Sequence, residues 1–175
     1  MKFKRYYFLI LSLLLFPLHS FALDTHEALQ FVKDFYQIYH FPSKNPLPYQ
    51  TVFNKKKNVL APELRKALEE DMQAQSKVSG EIVGLDFDPF LNGQDPAENY
   101  QAGQVKLKGR TFWVEMFEVR NGKKSSKPSF WVETEMQNGS WRISNFHYVT
   151  DIPENENLFS ILEVLKKDRQ KSKSK

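Results

Sequence analysis

Asp86, Asp88 and Asp95 place three carboxylates, and Asn92 and Gln94 two side-chain amides, within ten residues of a 175-residue chain. Oxygen donors at that density could hold a hard cation, so calcium is the first chemistry to consider. Setting Gly93 on the invariant glycine of an EF-hand loop puts Asp88 at position 1 and Asn92 at position 5. Position 3 is then Phe90, which has no ligand atom, and position 12 is Asn99 in place of a bidentate glutamate. What survives of the metal idea is an irregular site drawn from Asp86, Asp88 and Asp95. The same residues also suit turns. In Asp88-Pro89 and Asp95-Pro96 an aspartate precedes a proline, the arrangement that caps a short helical turn. Asn92-Gly93 supplies a turn between the two. Capping is the preferred reading.

A fourth carboxylate fits that bland account less well. With Leu64 as reference, successive residues of a helix rotate by about 100°, which puts Leu68 near 40°, Asp71 near −20° and Gln75 near 20°. Asp71 and Gln75 therefore lie inside an apolar stripe. A buried aspartate is costly unless hydrogen bonds satisfy it or its pKa rises to keep it neutral. Backbone N–H groups and the amides of Asn92 and Gln94 are the expected donors, brought in by the acidic segment folding over the helix. The functional alternative makes Asp71 a general base at the floor of a pocket, with Gln75, Gln94 or His147 orienting substrate. His147 alternates with Asn145 and Ile143 on a strand and so could face such a pocket. No glycine-rich phosphate loop, nucleophile elbow or paired-histidine helix is present, and no cofactor is expected.

The elements that must position these groups fall into two halves. Asp24-Thr-His-Glu27 has capping-box spacing and opens a helix carrying Ala28, Val32, Phe35 and Tyr39. Pro42 to Pro48 reads as a loop. Pro62 then stands near the start of a second helix with Leu60, Leu64, Ala67, Leu68 and Met72 as its stripe. Beyond Ser79-Gly80 the period changes to strands: Glu81–Phe87, Gln104–Lys108, Thr111–Val119, Ser129–Gln137 and Trp141–Val149. Asn138-Gly139 is the strongest hairpin signal, and Asn121-Gly122 sits in a longer connection. Leu158, Ile161, Leu162 and Leu165 outline a short C-terminal helix. The expected fold is α+β: two N-terminal helices packed on a curved antiparallel sheet of four to five strands, closed by that helix.

Met1 to Arg5 is basic, Phe8–Phe16 is apolar, and Ser20-Phe-Ala22 offers small residues at a cleavage site, the layout of a secretory signal peptide cut between Ala22 and Leu23. A run of nine residues before Pro17, eight of them apolar, is too short to span a bilayer, which takes about 20. The chain has no cysteine, which excludes disulfides, thiolate metal sites and lipidation at a processed cysteine. Its formal charge of +4 is unevenly placed. Removing Lys2, Lys4 and Arg5 leaves 22 bases facing 21 acids, and residues 166–175 hold six of those bases against one acid. Residues 23–165 then form a mildly acidic single domain at −4, followed by a basic flexible tail over 166–175. That balance argues against nucleic acid as a partner and allows weak contact of the tail with a membrane surface.

The helix segment Phe31-Val-Lys-Asp-Phe-Tyr36, the helix Leu60 to Gln75, the stretch Gly84 to Asp95 and the strand Gly139-Ser-Trp-Arg-Ile-Ser-Asn-Phe146 together resemble an exported bacterial family, domain of unknown function 3828. The Asp-Pro-Phe-Leu to Gln-Asp segment is the most specific part of the likeness. It implies a fold similar to the nuclear-transport-factor-2-like superfamily, cone-shaped domains in which a bent sheet wraps around helices, and it implies no activity. The expectation is a soluble periplasmic or secreted binding module, its partner an envelope protein or a small amphipathic ligand. A pocket enzyme of the isomerase or dehydratase kind, with Asp71 as base, is the alternative.

Overall fold

Helical periodicity at the start of the chain is realised as α1, residues 24–37, in which Ala28, Val32 and Phe35 are buried. The computed structural model describes residues 24–37, 48–95, 97–149 and 157–172. The segment read as a signal peptide, with the expected cut between Ala22 and Leu23, lies outside the described residues. Among them, no helix is long and apolar enough to cross a membrane.

The stretch after Pro48 forms a helix that the sequence pattern does not announce: α2, Pro48–Lys56, seats Tyr49 and Phe53 in the core. Two apolar residues one turn apart make too short a stripe to distinguish from a loop. A single 3₁₀ turn, Lys57–Val59, follows. Next comes α3, Pro62–Gln75, with Pro62 in its first turn, where its missing N–H costs nothing.

The sheet is built from β1 (Asn99–Lys108), β2 (Thr111–Arg120), β3 (Lys123–Lys124), β4 (Phe130–Gln137) and β5 (Ser140–Tyr148). Its order is β1-β2-β4-β5, with β3 paired to the end of β2, and every pair of strands is antiparallel. Asn121-Gly122 and Asn138-Gly139 both turn with positive φ at each residue, 51° and 69° in the first and 51° and 73° in the second. That backbone matches the right-handed twist of the flanking strands, so both dipeptides close two-residue hairpins. Register shifts between Ala102 and Val105 and opposite Glu133 and Thr134, where Ser144 is the extra residue, bend β1 and β5.

Along the inner sheet face Val114, Met116, Phe130, Val132, Ile143, Phe146 and Tyr148 alternate with outward residues and join the helices in one core. The fold is therefore α+β with helices preceding an open antiparallel sheet of five strands. Two expectations need correction. Residues 81–87 are not a strand; their backbone is held by side chains of α3. The C-terminal helix, α4, spans Leu158–Ser172, so most of the expected flexible tail is ordered helix.

Candidate functional site

The acidic segment folds as a buried turn. Asp88 and Gly93 bridge each other, and the carbonyl of Asp88 accepts from the N–H groups of Leu91 and Gly93. The Asp88 carboxylate accepts from the Phe90 N–H at 2.9 Å, the cap that Asp88-Pro89 suggests. Phe90 and Leu91 are fully buried, with the Phe90 ring against Phe35, Tyr49 and Phe146. A turn driven into a core must answer its own carbonyls, and three tyrosines do so in succession. Tyr148 donates to the Pro89 carbonyl at 2.8 Å, Tyr36 to that of Phe90 at 2.6 Å and Tyr100 to that of Leu91 at 3.1 Å. Burial, with the nearby Asp88 charge, lifts the Tyr36 and Tyr148 hydroxyls well above their usual value, and Tyr100 is pushed up to about 12. All three remain neutral donors across the physiological range. The hydrophobic centre of the fold is thus occupied by protein.

The remaining members of the segment go elsewhere. Asp86 accepts from Gln94 Nε2 at 3.1 Å, and Asn92, at φ 56°, donates to the Ser129 carbonyl at 3.4 Å. The Asp95 side chain is 97% exposed beside Arg120 at 3.6 Å, while the Asp95 carbonyl accepts from Arg120 at 2.7 Å. Asp95 therefore meets a guanidinium in place of the expected backbone donor. Asp86, Asp88 and Asp95 face different partners, and the described residues contain no group of three acid or histidine side chains able to hold a metal ion.

Asp71 is buried, as its place on the α3 stripe requires; it takes a backbone N–H, as expected, but an arginine stands where the amides of Asn92 and Gln94 were expected. Its Oδ2 accepts from the Leu85 N–H at 2.9 Å and its Oδ1 from Arg169 Nη1 at 2.6 Å. Arg169 belongs to α4 and also donates to the Val83 carbonyl at 2.7 Å. Gln75 Oε1 accepts from Val83 and Gly84, and its Nε2 donates to the Glu81 carbonyl. Asn92 and Gln94 take no part. A β-carbon on Gly84 would stand 2.8 Å from Asp71 Oδ2, so the backbone lies directly on the carboxylate. Both Asp71 oxygens are engaged and the side chain is buried, so the carboxylate is held in an ion pair within the fold. Sequence reasoning missed Arg169, although the signal existed: Leu158, Leu162, Leu165 and Arg169 recur at helical spacing and place the cation on the buried stripe of α4.

His147 lies on the outer sheet face, away from Asp71. Its Nε2 is 2.6 Å from Glu133 Oε2, and its ring stacks on Trp113 at 3.6 Å between centroids. Lys108 Nζ is 3.4 Å from the Trp113 ring centroid. Burial would raise the Glu133 carboxyl, but hydrogen bonds from His147 and Thr111 and the charges of His147 and Lys108 outweigh it. The group stands below its usual 4.5. Its ionised form is therefore favoured more in the folded chain than in the unfolded one, and this stabilisation is complete above about pH 4.5 and lost as pH falls through the folded value. The urea midpoint of the wild type should exceed that of Glu133→Gln at pH 6, with the gap closing as the pH is taken progressively below 4.5. A gap that stays constant with pH contradicts the coupling.

Open space is found between α3 and α4. Two ion pairs cross between them, Glu70 with Lys166 and Asp71 with Arg169. Between the two helices lies an open groove of about 460 Å³ whose apolar lining is Ala67, Phe159 and Leu162. Its rim carries Lys166 paired with Glu70 at 2.9 Å and Lys167 paired with Glu163 at 3.0 Å. Comparison of the chain with protein-family models, curated proteins and solved structures gave no match.

Proposed function

We propose that the chain is an exported, non-catalytic binding module that accepts a small amphipathic ligand in the groove between α3 and α4. The observation that carries this reading is the groove itself: its volume of about 460 Å³ falls in the range of small-molecule sites, and an apolar lining meets a charged rim. An alkyl chain would cover Ala67, Phe159 and Leu162 while its head group reached Lys166 or Lys167. The commitment of both Asp71 oxygens supports binding over proton transfer, so the isomerase or dehydratase alternative gains nothing. The reading keeps the kinship with domain of unknown function 3828 and its cone-shaped relatives as a proposal. Its support is the order of helices, buried Asp-Pro-Phe-Leu turn and antiparallel meander.

Calorimetric titration with dodecanoate tests it. Wild-type protein should give saturable heat, and Ala67→Trp, which fills the groove from its partly exposed side, should lower affinity roughly tenfold or more with an unchanged melting temperature. Equal binding by both proteins, or none by the wild type, refutes the groove as a site for such ligands.

A further inference from the structure

The two edges of the sheet differ. Along β5, Leu60 bridges Ile143, the Ala61 N–H donates to the Ile143 carbonyl at 2.8 Å, and Asn157 bridges His147. Among the described residues β1 pairs with β2 alone, and most of its length is exposed. A row of unpaired backbone donors and acceptors is a template for another extended chain.

The ladder fixes which groups of β1 face outward. The carbonyls of Met116 and Glu118 accept from Ser129 and Ser125, on the β4 and β3 side of β2. The alternate residues Phe117 and Val119 therefore turn their groups to their β1 partners, Gln101 and Asn99. Tyr100 and Ala102 point theirs away from the sheet, and the Tyr100 N–H is met only by the Asn99 side chain, at 2.8 Å. Gly103 and Gln104 then stand opposite Glu115 as a bulge, the Gln104 N–H turned to the Glu115 carboxylate at 3.4 Å. Beyond it Val105 and Leu107 pair with Val114 and Phe112, which share the parity of Met116, so they too face outward. Lysines often guard such an edge, but here they are drawn back. Lys106 reaches Glu115 at 2.8 Å and Lys108 lies over Trp113 at 3.4 Å, while Leu107 stands 46% exposed.

We propose that two copies of the chain join β1 to β1, antiparallel about a two-fold axis, and so continue one sheet through both. Ala102 would oppose Val105 of the second copy, and Tyr100 would oppose Leu107. This register brings all the outward-facing residues together as hydrogen-bonded pairs and keeps core-face side chains on the core face. It also sets the two bulges opposite each other at the axis and engages the whole strand. Lys106 meets Gln101 and Lys108 meets Asn99, so no like charges are opposed. A slip of two residues either way leaves half of the outward-facing residues against a bulge or past the strand end. Because the strand matches itself in this way, the occupant is a second copy, and the interface is isologous. The groove plays no part in it.

Crosslinking reads the register directly, because the chain has no cysteine of its own. Gln101→Cys and Lys106→Cys proteins, mixed and oxidised, should give a disulfide-linked dimer, since these positions form a non-hydrogen-bonded pair with Cα atoms about 4.5 Å apart. Either protein alone should stay uncrosslinked, its two cysteines being roughly 17 Å apart along the ladder. In sedimentation velocity the unmodified chain should pass from monomer to dimer as its concentration rises. Ala102→Pro removes an outward N–H and spares the β1–β2 bonds, so it should weaken the dimer roughly tenfold or more. Leu107→Ser, at an exposed site, should weaken it several-fold with the monomer's melting temperature unchanged, and it decides the matter if the proline variant fails to fold. A monomer at every concentration overturns the proposal and leaves the edge to a strand of another protein. Crosslinking of Gln101→Cys alone overturns the register. A dimer indifferent to both substitutions belongs to another face and also overturns the proposal.

Discussion

Replacing Arg169 with methionine is expected to lower the unfolding free energy by about 3–5 kcal/mol, read from the urea midpoint at constant slope. The magnitude follows from what the substitution leaves behind. Asp71 is 1% exposed, and without the guanidinium it would keep one backbone N–H at Leu85 and no counter-charge. An uncompensated buried carboxylate is among the costliest defects a core can carry. The Val83 carbonyl would lose its donor as well, loosening the segment over α3. Pairing the change with Asp71→Leu removes the orphaned charge and should restore much of the loss, although the Leu85 N–H then lacks its acceptor. A midpoint within error of wild type for Arg169→Met alone would mean that α4 does not dock as described.

Phe90→Ala carries the second large effect, about 3–5 kcal/mol, with the same denaturation measurement. The ring lies at 5.0 Å from Phe146, 5.8 Å from Phe35 and 6.1 Å from Tyr49 between centroids, so its removal takes contacts from both helices and sheet. Little can collapse into the void, because the turn that carries Phe90 is tied at three consecutive carbonyls by Tyr148, Tyr36 and Tyr100. A cost below about 1 kcal/mol would instead describe a loosely seated loop that leaves the centre of the fold readily, and would revive the idea of an internal pocket.

How far the chain could be read in advance varies with the range of the interactions involved. Asp71 was legible as buried because helical spacing alone puts it beside Leu64 and Leu68, whereas Gln75, on the same stripe, is only partly buried. Their partners were not legible: Leu85 lies 14 residues from Asp71, and Arg169 lies 98 away on a helix whose basic sequence reads as a solvated tail. The strand expected over residues 81–87 failed for a related reason. Its apolar alternation is real, but its N–H groups are taken by Gln75 and Asp71 in place of a neighbouring strand. Asp88 behaves as a cap, a contact two residues long, whereas the tyrosine donors come from α1, β1 and β5, which only the assembled fold brings together. The helix Pro48–Lys56 escaped notice because its burial rests on two aromatic residues, and packing, not propensity, holds so short a segment.

The amino-acid order by itself determined what depends on neighbours a few residues apart: the α1 and α3 stripes, the proline at the start of α3, the Asn138-Gly139 hairpin and hence the α+β class. Backbone sterics and side-chain period act locally, and they need no knowledge of the rest of the chain. Tertiary structure decided which polar groups are answered and by whom. Whether Asp71 faces Arg169 or a substrate, and whether Asp86 to Asp95 binds an ion or plugs a core, depends on burial and on donors supplied across the fold. Desolvation makes those pairings obligatory, but it leaves no mark in the local sequence that would name the partner.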